Sequence, residues 1–248
     1  MFFYKIRNNI PNLITTLNLT SGVIAILFSF ENQLIISSIF IYVGFFLDYM
    51  DGFFARILNA KSNIGKELDS LADLVTFGLA PACIVYNLLK KILYVEGFIN
   101  ISLSTISLIF PLLIVIFSAI RLAKFNIDTK QEENFIGLPT PANAIYFAWL
   151  PFLLCKNNLY QSFIDLYIYL LIIPSLLNSF LLVSPIPFFS FKFKNFNFYE
   201  NKKRYIFLAY SLLIIILLTN FAIIIIFWSY VLLNISLFFL NLFKKSSL

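Results

Sequence analysis

Long apolar stretches separated by short polar or charged connections run through most of this 248-residue chain. A helix that crosses a membrane needs about 20 mostly apolar residues, and the stretches predict about eight such helices. We expect them at Leu13–Phe30, Leu34–Ile57, Asn63–Leu89, Ile101–Ala123, Pro141–Leu154, Phe163–Val183, Tyr205–Leu218 and Ala222–Phe243. The expected fold class is therefore all-α, a transmembrane helix bundle that forms one membrane domain over residues 1–248.

The last two of these helices are separated only by a short polar interruption. A continuous helix from Tyr205 to Phe243 would be roughly 58 Å long at about 1.5 Å per residue, whereas the hydrocarbon layer of a bilayer is about 30 Å thick. We therefore place a hairpin at Thr219 and Asn220. The seventh helix is then short.

Composition supports the membrane interpretation. Apolar residues make up 60% of the chain and charged residues 12%, whereas soluble domains have roughly 45–50% and 25%. The mean hydropathy is +0.90. These values exclude a sizeable soluble domain.

The basic residues concentrate on alternate connections, and the positive-inside rule places such connections in the cytoplasm. Of the 18 Lys and Arg residues, 15 fall at the two chain ends or on the second, fourth and sixth connections. These residues are Lys5, Arg7, Arg56, Lys61, Lys66, Arg121, Lys124, Lys130, Lys192, Lys194, Lys202, Lys203, Arg204, Lys244 and Lys245. An even number of helices with both termini in the cytoplasm fits this asymmetry. The net charge of +6 is thus explained by membrane topology and anionic headgroups, and we expect no nucleic-acid partner.

The amino-terminal segment Met1–Asn9 is expected to be a cytoplasmic extension. It does not resemble a cleavable signal, because the apolar run that follows continues to Phe30 without a small-residue cleavage site. The chain has no histidine, which excludes a histidine base and a histidine-ligated zinc site. Cys83 and Cys155 lie in apolar stretches without a CxxC partner, and we interpret them as packing residues.

Four aspartates are placed where two neighbouring helices can bring them together. Asp48 and Asp51 share a face of the second helix, and Asp69 and Asp73 lie one turn apart on the third. In an antiparallel hairpin with its apex near residue 60, Asp48 pairs in depth with Asp73 and Asp51 with Asp69. All four carboxylates are then expected to converge.

An alternative is that each aspartate is solvated or caps a helix end. One aspartate at the centre of a membrane helix costs roughly 2.5–3.5 kcal/mol, so a group of four favours neutralisation by cations. Without a histidine or a nearby thiol the ligands are hard oxygens, which favour Mg²⁺ or Mn²⁺. Four carboxylates suit two ions, an arrangement that serves phosphoryl transfer.

Small and polar residues accompany the aspartates. Gly52, Ala55 and Gly65 leave room for a ligand against the backbone, although close helix packing explains small residues as well. Arg56 offers a fork of donors to a pyrophosphate. Ser62 stands where the third helix begins, so its hydroxyl and the free amides there can contact phosphate oxygens.

From Asp48 to Asp73 the chain reads D-x2-D-G-x2-A-R-x8-G-x3-D-x3-D. This pattern closely resembles the signature of the CDP-alcohol phosphatidyltransferase family, with every signature position filled. The resemblance implies that Asp48, Asp51, Asp69 and Asp73 bind metal and that Asp73 is also the general base. It implies that Gly52, Arg56 and Ser62 hold the CDP moiety, together with Asn12 and Thr15, although a helix cap explains that Pro-Asn segment equally well.

Three further segments resemble the bacterial phosphatidylserine synthase branch of this family. They are SAIRLAKFN at 118–126, FIGLPTPANA at 135–144 and LLVSPIPFFSFK at 181–192. The resemblance implies a catalytic part over 1–192, two additional helices over 205–243, and a homodimer in the cell (inner) membrane. It also implies CDP-diacylglycerol and L-serine as substrates, with phosphatidylserine and CMP as products. Lys124 departs from the branch, which usually has arginine there.

Serine carries a carboxylate that needs a cation. Arg121 and Lys124 lie one turn apart at the cytoplasmic end of the fourth helix, with Asn126 close behind, and we expect this group to bind it. Alternatively, both cations are ordinary topological anchors. Two other functions stay open: transfer to another alcohol such as inositol or glycerol phosphate, and cation transport. Transport is disfavoured because all four acids lie on two consecutive helices and no internal repeat is visible.

Overall fold

The computed structural model describes residues 2–60, 62–95, 109–127, 135–154, 164–189 and 197–246. Within those ranges the chain forms nine α-helices, one π-helical segment and a pair of two-residue strands. The helices are α1 (Phe2–Phe30), α2 (Leu34–Ile57), α3 (Asn63–Asp73), α4 (Ala80–Val95), α5 (Ile109–Ile127), α6 (Thr140–Leu154), α7 (Ile164–Leu182), α8 (Phe198–Leu218) and α9 (Ala222–Ser246). The π segment is Leu74–Leu79, and the strands are β1 (Phe135–Ile136) and β2 (Pro187–Phe188).

Five helical stretches in the described part of the chain are long and apolar enough to cross a membrane. They are Asn9–Phe30, Leu34–Ile57, Asn63–Lys91, Ile109–Ile127 and Ala222–Phe243. In four of the five, most of the stretch is not buried inside the protein, whereas Asn63–Lys91 is 56% buried, and large aliphatic and aromatic side chains cover the outer faces. The protein is therefore an all-α, multi-pass membrane protein, as the sequence predicts.

The observed helices differ from the prediction in two ways. α1 and α8 begin earlier than expected, at Phe2 and Phe198, because helical hydrogen bonds satisfy the backbone whether or not the side chains are apolar. The predicted third helix is divided into α3, the π segment and α4. Residues 101–108 of the predicted fourth helix and Phe163 of the sixth lie outside the described residues.

Asparagines in the left-handed region end the first two helices. Asn32 has φ 56° and Asn59 has φ 49°, a conformation that asparagine tolerates better than most residues. After α2, Asn59 N donates to Arg56 O at 3.3 Å and Ala60 N to Ala55 O at 3.0 Å, which is the Schellman pattern. The predicted hairpin apex near residue 60 is confirmed, since α2 ends at Ile57 and α3 begins at Asn63.

The π segment is packed tightly between α1 and α2. A Cβ added at Gly22 would lie 2.4 Å from Thr76 Oγ1, and one added at Gly44 would lie 2.4 Å from Thr76 Cγ2. Thr76 also donates its hydroxyl hydrogen to Asn18 O at 3.1 Å. The glycines therefore allow the first two helices to enclose the turn that follows Asp73.

α6 lies at the centre of the bundle, against α2, α4, α7, α9 and the π segment. Tyr146, Phe147 and Ala148 are fully buried there. Beside it, β1 and β2 pair antiparallel, with Phe135 opposite Phe188. Gly137 follows β1 with φ +81°, and a Cβ there would lie 2.3 Å from Leu182 O, so only glycine fits.

Candidate functional site

Three carboxylates meet across the α2–α3 hairpin. Asp48, Asp51 and Asp69 each offer one oxygen, and these oxygens lie within 4.8 Å of one another. Asp51 is buried, and the other two are half-buried. Oxygens about 2.1 Å from one Mg²⁺ lie roughly 3 to 4 Å from each other, so this set fits a hard divalent cation after small side-chain adjustments.

Asp73 lies one turn beyond Asp69, where α3 meets the π segment. Its side chain is 9% exposed, and it interacts electrostatically with Asp48, Asp51, Asp69 and Arg121. It is not a member of the three-oxygen group. The structure therefore gathers three of the four predicted acids into one group and puts the fourth beside that group, further into the bundle.

The first helix supplies polar partners to two of these acids. Thr15 Oγ1 donates to Asp51 Oδ2 at 2.6 Å, and Asn18 Nδ2 donates to Asp73 Oδ1 at 3.4 Å. Both α1 residues are buried. Thr15, a predicted CDP contact, thus also orients a carboxylate that faces the predicted metal position.

Asn18 is absent from the predicted site. The signal for it lies in the spacing, because small and polar residues recur every three or four positions along one face of α1. They are Thr15, Asn18, Gly22, Ala25 and Ser29. In a membrane helix such a face turns toward the protein, and all five residues are buried.

A cavity of about 410 Å³ opens beside the three acids. It is lined by Pro11, Asn12, Thr15, Asp51, Gly52, Ala55, Ala60, Ser62, Asn63, Gly65, Lys66 and Asp69. The structure therefore brings together, around one space, nearly all the residues expected to hold CDP. Arg56 is exposed and does not line this cavity, although its Nη1 is 3.9 Å from the position of a Cβ on Gly52.

The two glycines of the signature differ in their surroundings. A Cβ at Gly52 would meet only the end of the Arg56 side chain, so this position is open toward the cavity. A Cβ at Gly65 would lie 2.6 Å from Asn12 Oδ1. Gly65 thus permits close packing of α3 on α1, whereas Gly52 leaves space for a ligand.

Two positions in the sequence are candidate helix starts, Ser62 and the Pro-Asn segment at 11–12, and the structure confirms only the first. Ser62 Oγ accepts a hydrogen bond from Gly65 N at 3.0 Å and so caps α3 while lining the cavity. The alternative that the Pro-Asn segment begins a helix is wrong, because α1 starts at Phe2 and passes through Pro11 and Asn12. The segment lies inside the helix and faces the cavity.

A second cavity, of about 550 Å³, lies around the end of α5 and shares no lining residue with the first. Its lining is Arg121, Lys124, Phe125, Ile127, Ile136, Leu182, Val183, Ser184 and Pro185. Arg121 is only 6% exposed, and its Nη1 donates to Thr140 Oγ1 at 3.5 Å. A topological anchor reaches toward water, so that alternative fits exposed Lys124 and does not fit Arg121.

Asn126 is directed away from this second cavity. Its Nδ2 donates to Ser70 Oγ at 2.9 Å and to Glu67 Oε2 at 3.3 Å, and its carbonyl accepts from Lys66 Nζ at 2.6 Å. Through its side-chain amide and its backbone carbonyl, Asn126 thus connects α5 to α3. Of the three residues expected at serine, the structure places two at one cavity and the third in a contact between helices.

The chain is 42% identical over 134 residues to a CDP-diacylglycerol–serine O-phosphatidyltransferase of Bacillus subtilis, covering 54% of this chain and 70% of that protein. It is 36% identical over 137 residues to the Helicobacter pylori protein of the same description, covering 54% of each chain. An archaetidylserine synthase of Methanothermobacter thermautotrophicus is 36% identical over 138 residues, which are 55% of this chain and 54% of that protein.

The chain thus spans about half the length of the last two relatives. The sequence model of one family, CDP-alcohol phosphatidyltransferase, matches residues 8–175. That range contains the α2–α3 hairpin with all four aspartates and the α1 residues that contact them. Because the match covers more than half of the length of this chain, the chain belongs to the CDP-alcohol phosphatidyltransferase family.

Proposed function

We propose that the protein transfers the phosphatidyl group of CDP-diacylglycerol to the hydroxyl of L-serine and releases CMP. The observation that carries the proposal is the 410 Å³ cavity, which is lined by signature residues and borders three clustered carboxylates. The relatives from Bacillus subtilis and Helicobacter pylori are named for the same transfer.

The donor substrate occupies the cavity beside the acids. Asn12, Thr15 and Ser62 supply polar groups to the CDP moiety, while Gly52 and Ala55 leave space for it. Gly65 shapes the same wall by its contact with Asn12. The exposed end of the Arg56 side chain, which lies beside Gly52, binds the pyrophosphate, since arginine pairs with phosphate through two parallel donors.

Mg²⁺ or Mn²⁺, as two ions, is the cofactor of this reaction. Asp48, Asp51 and Asp69 supply the clustered oxygens, and Asp73 adds a fourth carboxylate from the adjoining turn. When bound, the metal neutralises charge on the pyrophosphate and favours loss of CMP. The all-oxygen donor set supports the choice of a hard cation.

Asp73 is the general base. The serine oxygen forms a bond to the phosphorus that bears diacylglycerol, and the bond from that phosphorus to the CMP oxygen breaks. Asp73 accepts the proton that the serine hydroxyl loses. Asn18 orients this carboxylate through its Nδ2 contact, and burial of both side chains keeps bulk water from competing with serine.

The acceptor occupies the 550 Å³ cavity. Arg121 lines it and also interacts electrostatically with Asp73, so a carboxylate held by Arg121 brings the serine hydroxyl toward the base. Lys124 adds a second cation at the exposed rim, and Asn126 fixes the position of α5 without contacting serine. A phosphate-bearing alcohol calls for a denser basic cluster than these two cations.

Replacing Arg121 with alanine is expected to raise the serine KM by about tenfold or more, since a charge-assisted hydrogen bond contributes roughly 1.5–3 kcal/mol. The KM for CDP-diacylglycerol should change little. Lys124→Ala, which removes an exposed cation from the same cavity, is the matched control and should change the serine KM by less than about threefold. Steady-state kinetics in mixed micelles measures both constants. An unchanged serine KM in Arg121→Ala would remove Arg121 from the acceptor site.

The membrane arrangement completes the proposal. The chain has eight membrane helices with both termini in the cytoplasm of a bacterium, in the inner membrane, and its site opens to the cytoplasm, where serine and nucleotide are found. Residues 1–192 form the catalytic part, residues 205–243 add two helices, and the protein is a homodimer. An even number of helices puts both termini on one side of the membrane, and the concentration of Lys and Arg on that side supports placing it in the cytoplasm.

The test of the function is a headgroup assay on purified protein. Radiolabelled CDP-diacylglycerol is supplied with serine, inositol, glycerol phosphate or no alcohol, and both lipid product and CMP are measured. We expect serine-dependent CMP release in a one-to-one ratio with phosphatidylserine. Preferential use of another alcohol would replace serine in the proposal, and no CMP release with any alcohol would overturn it.

A further inference from the structure

One wall of the acceptor cavity is a short stretch of chain at the end of α7. Leu182, the last residue of α7, lines the cavity together with Val183, Ser184 and Pro185, which follow the helix. This stretch leads into β2, and Gly137 N donates to Ile186 O at 2.9 Å. Hydrogen bonds from Val183 N to Phe180 O and from Ser184 N to Leu181 O, both 3.3 Å, hold the start of this wall. Two-residue strands give little stability by themselves, so the position of its far end depends on what holds β2.

The last helix holds the residue that follows β2. Phe189 N donates to Asn234 Oδ1 at 3.0 Å, and Tyr230 Oη donates to Phe189 O at 2.8 Å. Tyr230 and Asn234 lie one turn apart on α9 and are 6% and 2% exposed. Both backbone polar groups of Phe189 are therefore bound by one face of α9.

Aromatic contacts reinforce the same attachment. The Tyr230 ring centroid lies 5.0 Å from that of Phe189 and 5.6 Å from that of Phe188. Phe207 of α8 lies 5.8 Å from both Tyr230 and Phe189. Both of the last two helices thus contribute to one cluster around the chain that leaves β2.

Tyr230 is thus the residue of α9 that contacts, through both its hydroxyl and its ring, the chain that follows the cavity wall. Residues 222–246 lie beyond the range matched by the family model, which ends at residue 175.

We infer that Tyr230 and Asn234 are positioning residues for the acceptor, and that the last two helices serve to fix the wall of the acceptor cavity through Phe189. This inference rests on the proposed function for the identity of the acceptor. The contacts are a property of the described residues: α9 binds the backbone of Phe189, which directly follows β2, and β2 comes just after the cavity wall.

The kinetic test compares two tyrosines that each donate to a backbone carbonyl of another element. Tyr230→Phe loses the bond to Phe189 O, and Tyr146→Phe loses the bond from Tyr146 Oη to Leu170 O, which is 3.1 Å long. Loss of one such bond corresponds to about a fivefold effect. We expect Tyr230→Phe and Asn234→Ala to raise the serine KM by about fivefold, with the KM for CDP-diacylglycerol unchanged, and Tyr146→Phe to change neither constant.

A second measurement does not depend on activity. Val183→Cys places a thiol in the cavity wall, in a background with Cys83→Ala and Cys155→Ala, and its rate of modification by a water-soluble maleimide is followed in detergent. Adding Tyr230→Phe should raise that rate about fivefold, because the wall opens more often. Adding Tyr146→Phe should leave it unchanged.

The two measurements separate the possible failures. If the wild-type protein uses an alcohol other than serine, the KM for that alcohol replaces the serine KM; if it uses none, the labelling rate alone decides. Equal labelling rates in the Tyr230→Phe and Tyr146→Phe proteins would overturn the inference. So would equal rises in the KM values of both substrates, because that result indicates a general loss of stability.

Discussion

Asp73→Asn is expected to lower kcat by about 10³-fold or more, which is the scale of a lost general base. Asparagine has nearly the same shape, and its side-chain oxygen can still accept from Asn18 Nδ2, so the packing beside the π segment should persist. What the variant loses is the ability to take the serine proton, together with one negative charge next to the three clustered acids.

Single-turnover and steady-state rates with radiolabelled CDP-diacylglycerol measure this effect. Equilibrium binding of the same lipid is measured in parallel to separate a loss of catalysis from a loss of donor binding. Binding should stay measurable, because the residues that line the donor cavity are unchanged. Glu67→Gln is the matched control, since Glu67 is an exposed carboxylate on the same helix that accepts a hydrogen bond from Asn126. It should keep near wild-type turnover. Full activity of Asp73→Asn would refute the assignment of the base.

Removal of divalent cations is expected to lower turnover below about 1% of the initial rate, because phosphoryl transfer depends on neutralising charge at the transferred group. The donors for the cation are the oxygens of Asp48, Asp51 and Asp69. Added Mg²⁺ or Mn²⁺ should restore the rate. Undiminished turnover in excess EDTA would exclude the metal-dependent reaction.

The control for this experiment is EDTA saturated with Mg²⁺ beforehand, which should not inhibit. Direct binding is observable by electron paramagnetic resonance, since bound Mn²⁺ loses the sharp signal of the aqueous ion. Asp51→Asn should weaken that binding while Glu67→Gln should not. The comparison distinguishes ions held by the cluster from ions held by acidic groups at the surface.

The parts of this protein that could be predicted from sequence are those governed by local rules. The α2–α3 hairpin follows from the length of two apolar runs and the polar residues near 60, and its apex is where expected. The meeting of Asp48, Asp51 and Asp69 follows from helical spacing on both sides of that apex. These features need no knowledge of distant contacts.

Other features depend on contacts between elements far apart in the chain. The π segment cannot be read from apolar periodicity alone, because its place is set by Thr76 fitting between Gly22 and Gly44 on two other helices. The link from Asn18 to Asp73 joins residues 55 positions apart. The burial of Arg121 likewise depends on α6, where Thr140 accepts its hydrogen bond.

The same distinction explains what sequence left open in the second half of the chain. Hydropathy predicts α8 and α9 but cannot show what they contact. Asn234 and Tyr230 reach back more than 40 positions to one residue, Phe189. The polar side chain of Asn234 within an apolar run does indicate a contact of this kind, because a buried amide in a membrane helix needs a hydrogen-bond partner.

The π turn after Asp73 divides one membrane helix into two parts and changes the direction in which their side chains point around the helix axis. Ala80 N donates to Val75 O, five residues back, so this turn holds one residue more than an ordinary helical turn, and everything after it is rotated by about 100°. The acids of α3 and the packing face of α4 therefore do not have to lie on the same side of one regular helix. The bundle can set the direction of its carboxylates without changing which side of α4 is packed inside the protein.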